Sequence, residues 1–453
     1  MSDFYDRILD IAREFMDRED ELPPFRSPTQ LHQQIDLRLK PEGRSVDEVL
    51  HNLREVMLAT PSSSSHRFLN QLFGGREEVA VGAEMLAAVA NTSMYTYKAG
   101  AVQILIENEV VARLASIVGY ESYEGIFTPG GSLSNFAAML LARNETVHQA
   151  RNDGLPGTRL VIYTSDVSHY SIPKAAVMLG LGRNNVRQVS TDAIGRMDPL
   201  ELEEMIRADK ADGAVPIMIN ATAGTTVEGS FDPLLELARV AREQNVWLHV
   251  DGAYGGSVLF SRSRRHLLEG VEFADSVSID AHKLLAMPLI CSIVLSKHTG
   301  VFTRNLDENA SYLFQQDSSD LNPGTRSLQC GRRNDALKVW ASWQHLGDDG
   351  FGRRVDRLFE LAQYAARVIR EDPGMTLTFE PQSFNVCFEV DGCHSERICE
   401  TLDREGRFKV GYAIVKDRTV IRLVCVNADL TEADLDRFFD AVRAVAGTVA
   451  TRR

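Results

Sequence analysis

Six cysteines, Cys291, Cys330, Cys387, Cys393, Cys399 and Cys425, include no C-x-x-C pair. That excludes the spacing of common zinc sites and leaves reduced, structural thiols as the expectation. No run approaches the ~20 apolar residues needed to cross a bilayer, so no membrane span is expected. No cluster of lysine and arginine offsets a net charge of −14, and nucleic acid is therefore not an expected partner. No repeat or low-complexity segment interrupts the chain. The first residues, M-S-D-F-Y-D-R-I-L-D, lack the basic-then-apolar order of a secretory signal, which gives a cytoplasmic expectation.

What the chain has is size. Its 453 residues exceed the ~250–300 at which single cores stop growing, so more than one domain is expected. Residues 1–75 read as a charged helical arm that ends in the polar loop P-S-S-S-S-H-R-F-L-N-Q-L-F-G-G. Residues 76–345 alternate short β-rich runs (R-L-V-I-Y-T, V-P-I-M-I-N-A-T, V-W-L-H-V-D, S-V-S-I-D, C-S-I-V-L-S) with helical stretches. This alternation predicts an α/β domain with a mostly parallel central sheet covered by helices on both faces. Residues 346–453 begin with an amphipathic helix and continue into the strands F-N-V-C-F-E-V and V-I-R-L-V-C-V and a last helix, a small α+β domain.

In α/β sheets ligands sit at the carboxyl ends of strands, and the suggestive residues fall there. T-P-G-G-S-L-S-N, Thr128 to Asn135, puts Gly131 and Ser132 before an apolar helix. That is either an ordinary N-cap or a cradle of N–H groups for a phosphate. His169 in S-H-Y-S is either structural or a ring that lies flat on a cofactor. N-A-T-A-G-T-T, Asn220 to Thr226, is a strand-to-helix loop, or a place where small and hydroxyl residues let a ring approach.

Two further runs decide between these readings. W-L-H-V-D-G-A-Y-G-G delivers Asp251 directly after an apolar strand, where a buried carboxylate requires a cationic partner. The glycines and alanine around it suggest that something flat packs there. S-V-S-I-D-A-H-K ends a second apolar strand at His282 and Lys283. A carboxylate that keeps a pyridine nitrogen protonated, with a lysine that carries an aldehyde as a Schiff base, is what a pyridoxal 5'-phosphate (PLP) site needs.

Across residues 50–445 the sequence resembles the group II PLP-dependent amino acid decarboxylases, in particular the glutamate, cysteine sulfinate and aspartate decarboxylase branch. The stretches that carry the resemblance include H-R-F-L-N-Q-L-F, N-T-S-M-Y-T-Y, I-F-T-P-G-G-S-L-S-N, T-S-D-V-S-H-Y-S-I, N-A-T-A-G-T-T-V-E-G-S-F-D-P, A-S-Y-L-F-Q-Q-D and L-Q-C-G-R-R-N-D. The resemblance implies the PLP-dependent transferase fold type I (aspartate aminotransferase-like) and a homodimer with sites at the subunit interface. It implies Lys283 as the Schiff-base lysine, Asp251 on the pyridine nitrogen and His169 stacked on the ring. Ala253 would lie beneath the ring, Thr222 beside it, and Gly131, Ser132 and His282 near the phosphate. Arg422, in V-I-R-L-V, would clamp the substrate carboxylate, with Gln71 reaching in from the arm. The implied reaction is α-decarboxylation of a small acidic L-amino acid to its amine and CO2, with Lys283, His169 and Asp251 catalytic and no metal.

Two departures from the family pattern stand out. Asp280-Ala281 replaces the usual Asn-Pro before His-Lys and brings a negative charge toward the phosphate region. The stretch from Gln316 to Gln329 holds no tyrosine, whereas the family's mobile loop often supplies one to protonate Cα. Without that acid, His169, water or the nearby Tyr312 is left to supply the proton, although Phe314 beside that tyrosine suggests packing. The alternative is reaction with oxygen, decarboxylation-dependent oxidative deamination to an aldehyde, or another PLP-dependent reaction on the same scaffold.

Overall fold

The computed structural model describes residues 2–155, 157–308, 310, 313 and 321–450. Two compact units are present, one of residues 76–360 and 380–385, the other of residues 1–75, 361–379 and 386–453.

The larger unit is built on seven strands: β1 (Glu124–Thr128), β2 (Leu160–Ser165), β3 (Val186–Val189), β4 (Val215–Thr222), β5 (Trp247–Gly252), β6 (Ser276–Asp280) and β7 (Ser292–Ser296). They form one sheet in the order β1-β7-β6-β5-β4-β2-β3. β3, β2, β4, β5 and β6 pair in parallel, and β7 is antiparallel to both of its neighbours, β6 and β1. β1 therefore runs with the majority, and the expected mostly parallel sheet is present. β7, the C-S-I-V-L-S run, is its one reversed strand. Only residues 281–291 separate it from β6, too short a link for the crossover of a dozen or more residues that a parallel neighbour needs.

Every residue of β1, β2, β5, β6 and β7 is buried, the signature of a sheet covered on both faces. The helix Gly131–Thr146 packs into the same core as Ile126, Ile162, Ile217, Met218 and Val294. Its buried face carries Ala137, Ala138 and Ala142, small enough for close approach, around the larger Met139 and Leu141. Met139 is fully buried, so Met139→Ala would cost about 2–5 kcal/mol.

The smaller unit holds a second sheet of β8 (Met375–Leu377), β9 (Asn385–Val390), β10 (Gly411–Val415) and β11 (Arg418–Val424), in the order β10-β11-β9-β8. Asn385, the first residue of β9, belongs to the larger unit. Phe438 anchors an aromatic core, with Phe439 and Phe408 at ring-centroid distances of 5.2 and 5.4 Å. Of the apolar residues in 1–75, Leu22, Ile35, Leu50, Phe68 and Leu69 are buried. The segment around Leu69 adds to the sheet end, its N–H donating to Lys409 O (2.7 Å) and its carbonyl accepting from Val424 N–H (3.1 Å). No helix among the described residues is long and apolar enough to cross a membrane.

Candidate active site

Because β7 alone is reversed, the carboxyl ends of β1, β2, β4, β5 and β6 all open toward one side of the larger unit. Each delivers a residue singled out in the sequence. Gly131, Ser132, His169, Thr222, Asp251, Ala253, His282 and Lys283 line one cavity of about 340 Å³. A larger groove of about 970 Å³ opens at the other end of β5, beside Trp247, Asp275 and His298, and contains none of them.

Asp251 is 5% exposed, and its described partners are all neutral. Oδ2 accepts from Asn135 Nδ2 at 2.7 Å, and Oδ1 accepts from Ala253 N–H at 3.2 Å and from Ser278 Oγ at 3.5 Å. Neutral donors orient a carboxylate but do not cancel its charge, so this wall of the cavity suits a cation. Opposite in sign is Lys283, partly exposed, with Nζ 3.2 Å from Asp280 Oδ2. Asp280 is buried, its other oxygen Oδ1 has no hydrogen-bond partner among the described residues, and Oδ2 lies 3.7 Å from His282 Nε2. His282 Nδ1 is anchored on the backbone of Cys291, 2.9 Å from its carbonyl oxygen. Burial holds His282 below the usual histidine range.

The start of the helix Gly131–Thr146 forms another wall. Gly130 takes φ +103°, and among the described residues no side chain caps the helix, whose first N–H groups have no intrahelical acceptors by geometry. A Cβ on Gly131 would sit 2.8 Å from Asp280 Oδ2 and 3.0 Å from Ala253 Cβ, so only glycine allows this approach. The charge expected from Asp280 is thus placed beside both the helix start and the lysine. Thr222 ends β4 with its N–H donated to the buried Asp232 (2.7 Å), while its Oγ1 is buried without a hydrogen-bond partner among the described residues. Burial pushes the Asp232 carboxyl up to about 7.

His169 Nδ1 lies 2.8 Å from Ser171 Oγ and accepts from Ser171 N–H at 3.3 Å. In the neutral ring the proton is therefore on Nε2. Burial lowers its pKa, Asp251 and Asp280 pull it up, and Lys283 pushes it down.

The small residues after Asp251 are used differently from the expectation. A Cβ on Gly252 would meet Ser278 O at 2.7 Å, one on Gly255 would meet Ala223 O and Phe231 at 2.6 Å, and one on Gly256 would meet Ile279 at 2.9 Å. The protein's own strands fill that space, and of the residues Gly252, Ala253, Gly255 and Gly256 only Ala253 lines the cavity. The loop bearing Leu289 and Ile290, also in the lining, is tied down by Lys338. This lysine is 0% exposed, and its Nζ donates to Ile290 O (2.9 Å) and Pro288 O (3.2 Å) and pairs with Asp335 (2.9 Å) and Glu84 (3.1 Å).

Gln71 and Arg422 belong to the smaller unit. Arg422 is half-buried in β11, with Nη2 donating to Asn70 O at 2.6 Å, and Gln71 follows that residue and is exposed. Tyr312, Phe314 and residues 316–320 lie outside the described residues. Residues the sequence reading passed over are Asn135, His249 and Asp232. Asn135 closed the quoted T-P-G-G-S-L-S-N run, one helical turn after Gly131, and that spacing was the available signal.

The orphaned Thr222 hydroxyl, the uncompensated Asp251, the uncapped helix start and Lys283 around one cavity fit PLP: a cationic ring nitrogen, a phosphate and an aldehyde. The pyridoxal-dependent decarboxylase conserved domain matches residues 28–391. The chain belongs to this family and has the PLP-dependent transferase fold type I; it is a PLP-dependent carboxy-lyase acting on amino acids. It is 40% identical to human cysteine sulfinic acid decarboxylase over 435 residues, covering 91% of this chain and 88% of that protein. It is 36% identical to the mouse acidic amino acid decarboxylase GADL1 over 449 residues, 94% of this chain and 82% of that protein. The crystal structure of mouse CSAD superposes with a TM-score of 0.94 at 35% identity, covering 98% of both chains.

Proposed function

We propose that the substrate is a small acidic L-amino acid of the cysteine sulfinate, aspartate or glutamate kind, converted to its amine and CO2. The observation that carries the reading is the presence of Asp251 and Lys283 in the walls of one cavity, in a chain whose relatives at 34–40% identity are named cysteine sulfinic acid and acidic amino acid decarboxylases. These relatives favour the amine over the aldehyde product.

PLP supplies the electron sink for the pair left when the bond from Cα to the carboxylate breaks. Lys283 would hold its aldehyde carbon, Asp251 its ring nitrogen, and the N–H groups of Gly131 and Ser132 with His282 its phosphate. Thr222 would donate beside the ring, with Ala253 and His169 on its faces. Arg422 would grip the substrate α-carboxylate, because its planar fork matches that group and holds the breaking bond in one orientation, with Gln71 beside it. His169, once it has taken up a second proton, would give its Nε2 proton to Cα and return to the neutral ring. In that role it takes the place of the loop tyrosine that residues 316–329 lack.

The homodimer belongs to the same proposal. The helices Glu78–Ala90 and Val102–Val118 leave Met85, Leu86, Val89, Val102 and Leu105 exposed, apolar side chains that a second copy of the chain would cover. Six free thiols suit the cytoplasmic location.

The test is a panel of amino acids offered to the holoenzyme with CO2, amine, aldehyde and oxygen followed together. Amine and CO2 in equal amounts from an acidic substrate are expected. Aldehyde and ammonia formed in step with oxygen uptake would overturn the reading.

A further inference from the structure

Trp247 opens β5 and Asp251 lies near its end, and the chain of hydrogen bonds between them takes its direction from the Asp251 end, where a carboxylate only accepts and so holds Nδ2 of the Asn135 amide toward it and Oδ1 away. The indole N–H of Trp247 can only donate, and it donates to Ser276 Oγ at 2.9 Å. The same Oγ lies 2.9 Å from His249 Nδ1, and with a second lone pair it could either accept from or donate to that nitrogen. Because Nε2 faces the acceptor Asn135 Oδ1 at 3.0 Å, the neutral His249 carries its proton on Nε2, and Nδ1 accepts from the Ser276 hydroxyl. Burial depresses this imidazole to about 4, so it stays neutral and keeps that one tautomer. Ser278 Oγ shares its one hydrogen between the same Oδ1 at 3.3 Å and Asp251 Oδ1 at 3.5 Å. The Asn135 amide therefore turns both hydrogens of Nδ2 the other way.

One of those hydrogens goes to Asp251 Oδ2 at 2.7 Å and the other to Ser171 Oγ at 3.0 Å. Ser171 passes its own hydrogen to His169 Nδ1 at 2.8 Å. Asn135 is 1% exposed and His249 0% exposed, so water does not compete for these bonds. A single side-chain amide thus holds the carboxylate on one side and, through one hydroxyl, the imidazole on the other.

We infer that Asn135, oriented by His249, is a positioning residue that fixes the Asp251 carboxylate and the His169 tautomer together, and so sets how strongly the site keeps the cofactor's ring nitrogen protonated. The inference rests on the proposed pairing of Asp251 with that nitrogen. The donors from Asn135, Ala253 and Ser278 are neutral, so they aim the carboxylate without discharging it. An amide turned the other way would set Oδ1 against the carboxylate and reverse the effect.

The experiment loads the apoprotein with ring-15N-labelled PLP and follows the nitrogen chemical shift against pH in wild type, Asp251→Ala, Asn135→Ser, His249→Phe and His249→Gln. Wild type should keep the protonated shift to high pH, and Asp251→Ala should lose it. Asn135→Ser and His249→Phe should move the deprotonation midpoint down by about one unit or more, a tenfold change or greater, as expected for losing a hydrogen bond to a charged group. Both should lower kcat with KM little changed. His249→Gln, whose amide can still donate to Asn135 Oδ1, should recover most of the shift. Wild-type midpoints in Asn135→Ser and His249→Phe, alongside a lost signal in Asp251→Ala, would overturn the inference alone. A protonated shift retained in Asp251→Ala would instead overturn the pairing beneath it, and the inference with it. Should Asn135→Ser not fold, the two His249 variants decide.

Discussion

Asp280 Oδ2 lies 3.2 Å from Lys283 Nζ, so the carboxylate that ends β6 holds the lysine that follows it one turn later. Asp280 is buried beside Gly131, with Oδ1 left without a hydrogen-bond partner among the described residues. The usual Asn-Pro of the family would offer an amide here. This chain offers a full charge, which both steers Lys283 and faces the uncapped helix start where the phosphate is proposed to sit.

Asp251→Asn keeps the shape of the site and removes its charge. An amide does not hold a pyridine nitrogen protonated, and in a dry site that loss is expected to lower kcat roughly a thousandfold. Circular dichroism of the variant should match wild type, and turnover within a few-fold of normal would exclude the role.

Arg422→Met removes the guanidinium proposed to bind and orient the substrate α-carboxylate. Steady-state kinetics should show KM raised and kcat lowered for every amino acid turned over, since the same contact serves binding and alignment. Should only substrates with acidic side chains suffer, Arg422 reads the distal group instead.

The active species should sediment as a dimer at assay concentration. Leu86→Glu and Val89→Glu, which place charge on the exposed apolar face of the helix Glu78–Ala90, should shift it toward monomer. A monomeric wild type with full activity would contradict the assembly.

His249 gives a pH dependence of known sign. Its folded-state pKa is depressed to about 4, against roughly 6.5 when unfolded, so the unfolded chain takes up the proton first as the pH falls. The contribution is complete above the unfolded value and is lost as pH falls toward 4. Between about pH 7 and about pH 5 wild type should lose about 2 kcal/mol relative to His249→Gln, which has no such proton to bind. Asp232, pushed up to about 7, works in the opposite sense in both proteins, so the comparison is made on the difference in unfolding free energy. No change in that difference with pH would refute the buried neutral imidazole.

Much of the larger unit was legible because its chemistry sits at strand ends, where an apolar run stops at a charged residue. Asp280 ends β6 in both sequence and structure, Asp251 stands one residue before the end of β5, and Thr222 ends β4 with a hydroxyl in the same place. The reversal of β7 was hidden, since an apolar run carries no direction and only the shortness of residues 281–291 betrays it. The β10–β11 hairpin turns at Lys416 and Asp417, both with positive φ, in place of the Asn-Gly or Asp-Gly that would have announced it. The glycines after Asp251 were assigned to a ligand because sequence does not tell a ligand's face from a neighbouring strand. Asn135 was invisible as a bridge for a related reason: its partners Asp251 and His249 are 116 and 114 residues away in the chain.

The most direct test of the cofactor site is borohydride reduction of the holoprotein followed by peptide mapping. Lys283 should be the one lysine carrying the reduced pyridoxyl group, and Lys283→Ala should carry none. A label on another lysine of the wild type, or a label that persists in Lys283→Ala, would contradict the account.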